Sequence, residues 1–143
     1  MLRSVVDSPV PPLMFLTLTV RNCAIEELGE TLSRMNTAFQ RLKDRKECRP
    51  VQGWIRTTEV TRGSDGSAHP HFHTLMMVPP GMLNGKSYVR HERWVELWRA
   101  CLRVSYDPNV DVRAVQPRKP KDGESLASAT AELVPGAVAE TQK

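Results

Sequence analysis

Three cysteines, Cys23, Cys48 and Cys101, are all this chain has, an odd number set far apart with no CxxC spacing. That excludes a disulfide framework or a zinc knuckle and leaves buried thiols as the expectation. Long hydrophobic runs are missing too: no apolar stretch approaches the roughly 18 residues of a membrane span, so no membrane partner is expected. The N-terminus lacks the charge order and cleavage site of a signal peptide, and a cytoplasmic location is the expectation. Strong charge of either sign is also absent. Twenty basic against sixteen acidic residues give +4, which suits a polyanionic partner without requiring one. At 143 residues a single domain is expected, burying about two thirds of its unfolded surface.

What the chain does have is His69-Pro70-His71-Phe72-His73-Thr74-Leu75-Met76-Met77-Val78. Successive strand side chains point to opposite faces, so His71 and His73 project the same way, about 6.5–7 Å apart at the backbone. Two imidazoles so placed can share a metal ion. Phe72 points to the other face, and the apolar run after His73 belongs inside a sheet. Upstream, residues 51–60 are rich in β-branched and aromatic residues, and Gly63-Ser64-Asp65-Gly66 reads as a hairpin turn.

If that turn is centred on Asp65, antiparallel pairing sets Glu59 opposite His71 and completes a His-His-Glu triad. A slip of one residue would turn Glu59 to the far face. Chance HxH patterns in strands are common, and a single strand histidine is more often packing or surface. Three alternate histidines opposite a carboxylate that is unfavourable to bury alone shift the balance toward metal. The mixed nitrogen and oxygen set suits Mn²⁺, Zn²⁺ or Fe²⁺, and Mg²⁺ where substrate phosphate and water complete the shell.

Along the rest of the chain, residues 1–12 carry three prolines and read as an arm. Residues 13–20 form a first strand with Phe15, Thr17 and Thr19 on one face. Thr17 and Thr19 are candidate DNA contacts, with support of the sheet as the competing role. Asn22 is placed to cap a helix running to about Arg45, with Ile25, Leu28, Leu32, Met35, Phe39 and Leu42 as its apolar stripe. Pro79-Pro80-Gly81 stops the histidine strand, and residues 82–86 read as a loop. Ser87 is a candidate cap for a second helix over residues 89–103, whose Trp94, Leu97, Trp98, Cys101 and Leu102 share a core-facing side. Residues 110–115 alternate as a fourth strand.

The order β-α-β-β-α-β is the split βαβ arrangement, an α+β fold with a ferredoxin-like antiparallel sheet and helices packed on one face. The domain spans residues 13–116. Residues 117–143 add a basic loop, with Arg118, Lys119 and Lys121 placed to meet a phosphate backbone, and an Ala-rich helix over residues 124–134.

His71-Phe72-His73, set in residues 69–75, resembles the metal motif of the HUH endonucleases, particularly the replication initiators of bacterial rolling-circle plasmids. Residues 15–19 resemble that family's first motif; residues 53–61 and Trp94 and Trp98 also fit its pattern. The resemblance implies the same sheet architecture and a divalent metal, Mg²⁺ or Mn²⁺, on His71, His73 and Glu59. It also implies plasmid origin DNA as partner, single-stranded or in a hairpin. In that family a tyrosine on a helix after the fourth strand attacks the scissile phosphate. This sequence has no tyrosine beyond Tyr106, so the expectation is a product truncated before its nucleophile, binding metal without nicking. Two other readings compete: a DNA-binding remnant without catalysis, and a cupin-like small-molecule metalloenzyme. The latter needs an all-β sandwich, which the two amphipathic segments disfavour.

Overall fold

A computed structural model describes residues 12–117 and 131–133. Five strands form one antiparallel sheet: β1 Leu13–Thr19, β2 Gly53–Arg62, β3 Ala68–Met77, β4 Val110–Pro117 and the short β5 Ala131–Leu133. Their order is β2-β3-β1-β4-β5. β1 and β2 are thus parallel with β3 between them, and β3 and β4 are parallel with β1 between them. That is the expected split βαβ order, extended by one edge strand.

Two helices supply the crossovers, α1 Leu28–Lys43 and α3 His91–Leu102, with a four-residue helix α2 Gly81–Asn84 between β3 and α3. Period-two alternation in the strands puts Met14, Leu16, Leu18, Phe72 and Met76 on one face, all buried. Met35, Ala38, Phe39 and Leu42 of α1 and Trp94, Leu97, Trp98 and Cys101 of α3 pack into the same core. Each such large apolar side chain contributes about 1.5–3 kcal/mol on burial. Both α3 tryptophans are fully buried, and Trp98 Nε1 donates to the Thr19 carbonyl at 2.8 Å, tying the helix to the end of β1.

The β2–β3 hairpin forms as the turn residues dictate. Gly63 N–H donates to the Ser67 carbonyl at 2.8 Å, and the Asp65 carboxylate accepts from both the Ser67 amide and hydroxyl. Gly66 sits at φ +85°, where a side chain would be strained. A Cβ on Gly63 would meet Ser67 Oγ at 2.8 Å and Asp65 Oδ1 at 2.9 Å, so a larger residue there would displace the side chains that brace the turn. The hydrogen bonds from Ser67 also hold the Asp65 carboxyl below its ordinary range.

Several local expectations are corrected. Asn22 does not cap a helix: its amide donates to Ser67 Oγ at 3.0 Å, and Cys23 bridges to Ala68, so the chain is held to the hairpin before the helix begins. The helix opens with a 3₁₀ turn at Ile25–Glu27, outside the α1 stripe, and Ile25 is 44% exposed. Ser87 does not cap α3 either, because that helix starts after Arg90. Within the stretch read as a 82–86 loop, the first residues belong to α2. The helix expected over residues 124–134 is contradicted where it is described, since Ala131–Leu133 pairs with Val115–Pro117 of β4. An open hydrogen-bonding edge overrode helix propensity there. The remainder of that stretch, and the 1–11 part of the arm, lie outside the described residues. Cys48 and Cys101 are buried free thiols and Cys23 a half-buried one; burial pushes the Cys48 thiol up to about 12.

Candidate metal centre

The hairpin register places Glu59 opposite His71 and Thr57 opposite His73. On the other side of β3, His71 faces Thr19 and His73 faces Thr17 of β1, and Thr17 in turn faces Asp111 of β4. All of these project from the face away from the helices.

Three ligand atoms, one each from Glu59, His71 and His73, lie within 4.8 Å of one another. His71 Nδ1 stands 3.5 Å and His73 Nε2 3.3 Å from the same oxygen, Glu59 Oε1. The His71 and His73 side chains are 7% and 8% exposed, while the Glu59 side chain is 33% exposed and forms the open side. Two neutral nitrogens and a carboxylate oxygen in a small triangle are a donor set that could hold a divalent cation and leave positions for water or a phosphate oxygen. Burial pushes the His71 imidazole below the usual histidine range, against the opposing hydrogen bond from Glu59. A lowered value favours the unprotonated ring that a metal requires.

The neighbouring residues fix these rings. Thr17, 2% exposed, has its hydroxyl 3.5 Å from His73 Nδ1, the nitrogen turned away from Glu59. A partner on the far nitrogen sets tautomer and ring orientation. Phe15 stacks on His73 with centroids 5.8 Å apart. His69 brings Nδ1 to 3.2 Å from His71 Nε2, and burial lowers its basicity, followed by the charge of His71. Thr19 is also buried and spends its hydroxyl on the Asn109 carbonyl at 2.8 Å. The hydroxyls of Thr17 and Thr19, named as candidate DNA contacts, are thus engaged within the protein. Arg118, Lys119 and Lys121 lie outside the described residues.

Beside the triad opens a cleft of about 690 Å³ lined by Thr17, Thr19, His69 and His71 on the sheet and by four carboxylates, Glu92, Glu96, Asp107 and Asp111. Among the described residues, no lysine or arginine lines it. His91 lines it as well, with its Nε2 donating to the Val110 carbonyl at 2.7 Å. Sequence reading missed His91 and the carboxylates because they come from α3, the turn before β4 and β4 itself. Only the fold carries them to the histidine strand.

Comparison with known proteins supplies a family. A family model described as "Replication protein" matches residues 1–143. "Protein rep" of Streptococcus pneumoniae serotype 2 (strain D39 / NCTC 7466) is 37% identical over 118 residues, covering 80% of this chain and 37% of the relative. "Protein rep" of Bacillus amyloliquefaciens is 37% identical over 80% of this chain and 34% of its own length. "Replication protein" of Staphylococcus aureus is 36% identical over 78% of this chain and 49% of its own length. The chain therefore spans between 34% and 49% of the length of these relatives. No solved structure matches it.

Proposed function

Because the chain belongs to the replication protein family matched over its whole length, we propose that it serves rolling-circle initiation by binding plasmid origin DNA and holding Mg²⁺ or Mn²⁺ on Glu59, His71 and His73. The observation that carries this reading is the convergence of His71 Nδ1 and His73 Nε2 on one carboxylate oxygen at the open face of the sheet. When bound, the cation would draw charge from the nonbridging oxygens of a phosphodiester. The protein's own share is to present three donors on a rigid hairpin, with Thr17 orienting His73 and Phe15 flanking it.

Nicking also needs a positioned oxygen nucleophile. Tyr88 is 52% exposed in the segment before α3, and Tyr106 is engaged with Arg21, its hydroxyl accepting from the Arg21 amide at 3.2 Å. Neither follows β4, where the resembled family carries its tyrosine. The reading is therefore metal and DNA binding without strand cleavage by this sequence alone. The cupin-like alternative is disfavoured by α1 and α3 packed on an antiparallel sheet.

The test is incubation of the purified chain with supercoiled plasmid carrying the origin, in Mn²⁺, followed by gel shift and by denaturing gels for protein–DNA adducts. A retarded complex with no open circles is expected. Efficient covalent nicking would overturn the claim of binding without cleavage, and no complex in any condition would overturn the DNA reading.

A further inference from the structure

A second cleft of about 840 Å³ has the opposite chemistry, and it shares no lining residue with the one beside the triad. Arg21, Arg34, Arg41 and Arg103 all line it, brought from the end of β1, from α1 and from the residue that ends α3. Glu27 is its one carboxylate among the described residues. None of the four arginines has a carboxylate within ion-pair distance among the described residues, although Arg93, Arg99 and Arg113 elsewhere all do. Two of the four are fixed in place: the Arg21 guanidinium lies 3.9 Å over the Tyr106 ring, and Arg41 Nη1 donates to the Cys101 carbonyl at 2.8 Å. Thr31 also lines the cleft, and its buried hydroxyl has no hydrogen-bond partner among the described residues.

Arg103 adds an independent sign. It closes α3 in the left-handed conformation at φ 61° and ψ 45°, a position that glycine fills without strain. It is the only non-glycine residue with positive φ among the described residues. A guanidinium kept where a glycine would serve the backbone better suggests a use for the side chain.

We propose that this cleft takes phosphate groups, supplied by the backbone of a DNA duplex, independently of any metal. Arginine forks suit phosphate oxygens, and four of them against one carboxylate give a local field that a duplex backbone would neutralise. The two clefts adjoin along the chain: Thr19 lines one and Val20 the other, and Tyr106 lines this one while Asp107 lines the first. The choice of DNA as source of the phosphate rests on the proposed function; the phosphate chemistry does not.

Arg34 and Arg103 suit a test because both are exposed and have no side-chain partner among the described residues. Arg34→Gln/Arg103→Gly should bind a labelled duplex in EDTA about tenfold more weakly than wild type, with the log–log salt slope shallower by about two. Its Mn²⁺ affinity and melting temperature should not fall. An Arg49→Gln/Lys86→Gln control, equal in charge but outside the cleft, should bind DNA as wild type does. Equal duplex affinity and slope in the cleft variant and wild type, or equal weakening in the control, would overturn the proposal. Inorganic pyrophosphate, followed by calorimetry, separates the sources. Should the wild type bind pyrophosphate but no duplex, the duplex source falls, while the proposed function still stands or falls on the plasmid gel shift. Pyrophosphate binding lost only in the cleft variant keeps the phosphate site, and no binding to the wild type rejects it.

Discussion

The two clefts differ in how they were built. One gathers histidines and carboxylates around paired strands, and the other gathers arginines from three separate parts of the chain. Three of the four carboxylates beside the triad are already paired, Glu96 with Arg93, Asp107 with Arg99 and Asp111 with Arg113. None of the arginines of the second cleft has an ion-pair partner among the described residues. With three of its four carboxylates neutralised, the first cleft keeps Glu92 and the histidine triad to attract a cation, and a nucleotide chain gains from approaching it chiefly with a divalent cation in place. Four arginines need no cation. The contrast separates metal binding from duplex binding, so each should be removable without the other.

The sharpest break would come at the triad. His71→Ala/His73→Ala should lower Mn²⁺ affinity by more than about 100-fold in calorimetric titration while leaving duplex binding in EDTA unchanged. Equal Mn²⁺ affinity would end the metal reading, and lost duplex binding would merge the two clefts into one. Next in size, Thr17→Val removes the hydroxyl beside His73 Nδ1 and should weaken Mn²⁺ by about tenfold, again without effect on duplex affinity. An unchanged value would mean that packing alone orients the ring.

Smaller effects sharpen the comparison through stability. Arg103→Gly relieves a left-handed arginine, worth about 1 kcal/mol, and should raise the melting temperature by about 2–4 °C while weakening DNA binding. A side chain that merely ended the helix would show the first change and not the second. Acidification should act only on the triad side. His69 and His71 are both held below the ordinary histidine value, so the unfolded chain binds their protons more readily than the folded one. Metal-free protein should therefore lose stability as pH falls through about 6.5 and level off once the folded rings are protonated as well. A melting temperature flat from pH 7.5 to 5 would contradict this.

How much of this could be read from residues alone follows the reach of each interaction. Glu59 opposite His71 needed only a two-residue period and a Gly-Ser-Asp-Gly turn, both local, and the observed register is the one a turn centred on Asp65 gives. The buried faces of α1 and α3 were legible for the same reason, since helical spacing alone aligns Met35, Phe39 and Leu42, or Trp94, Leu97 and Trp98. Caps were not. Asn22 and Ser87 have the right chemistry for capping, but Asn22 found a partner across the fold in Ser67, and α3 begins four residues after Ser87 at His91. The expected helix around Ala131–Leu133 failed because β4 offered a strand edge that no local propensity could reveal.

The sequence by itself determined the hairpin, its register and hence the triad, because the periods and turn residues that specify them act between neighbours along the chain. Tertiary structure alone decided that Thr17 would serve His73, that His91 and Asp107 would border the histidines, and that Arg21, Arg34, Arg41 and Arg103 would share a cleft. Those groups come from separate elements of the chain, and only closing the sheet and docking both helices on its apolar face brings them within reach of one ligand.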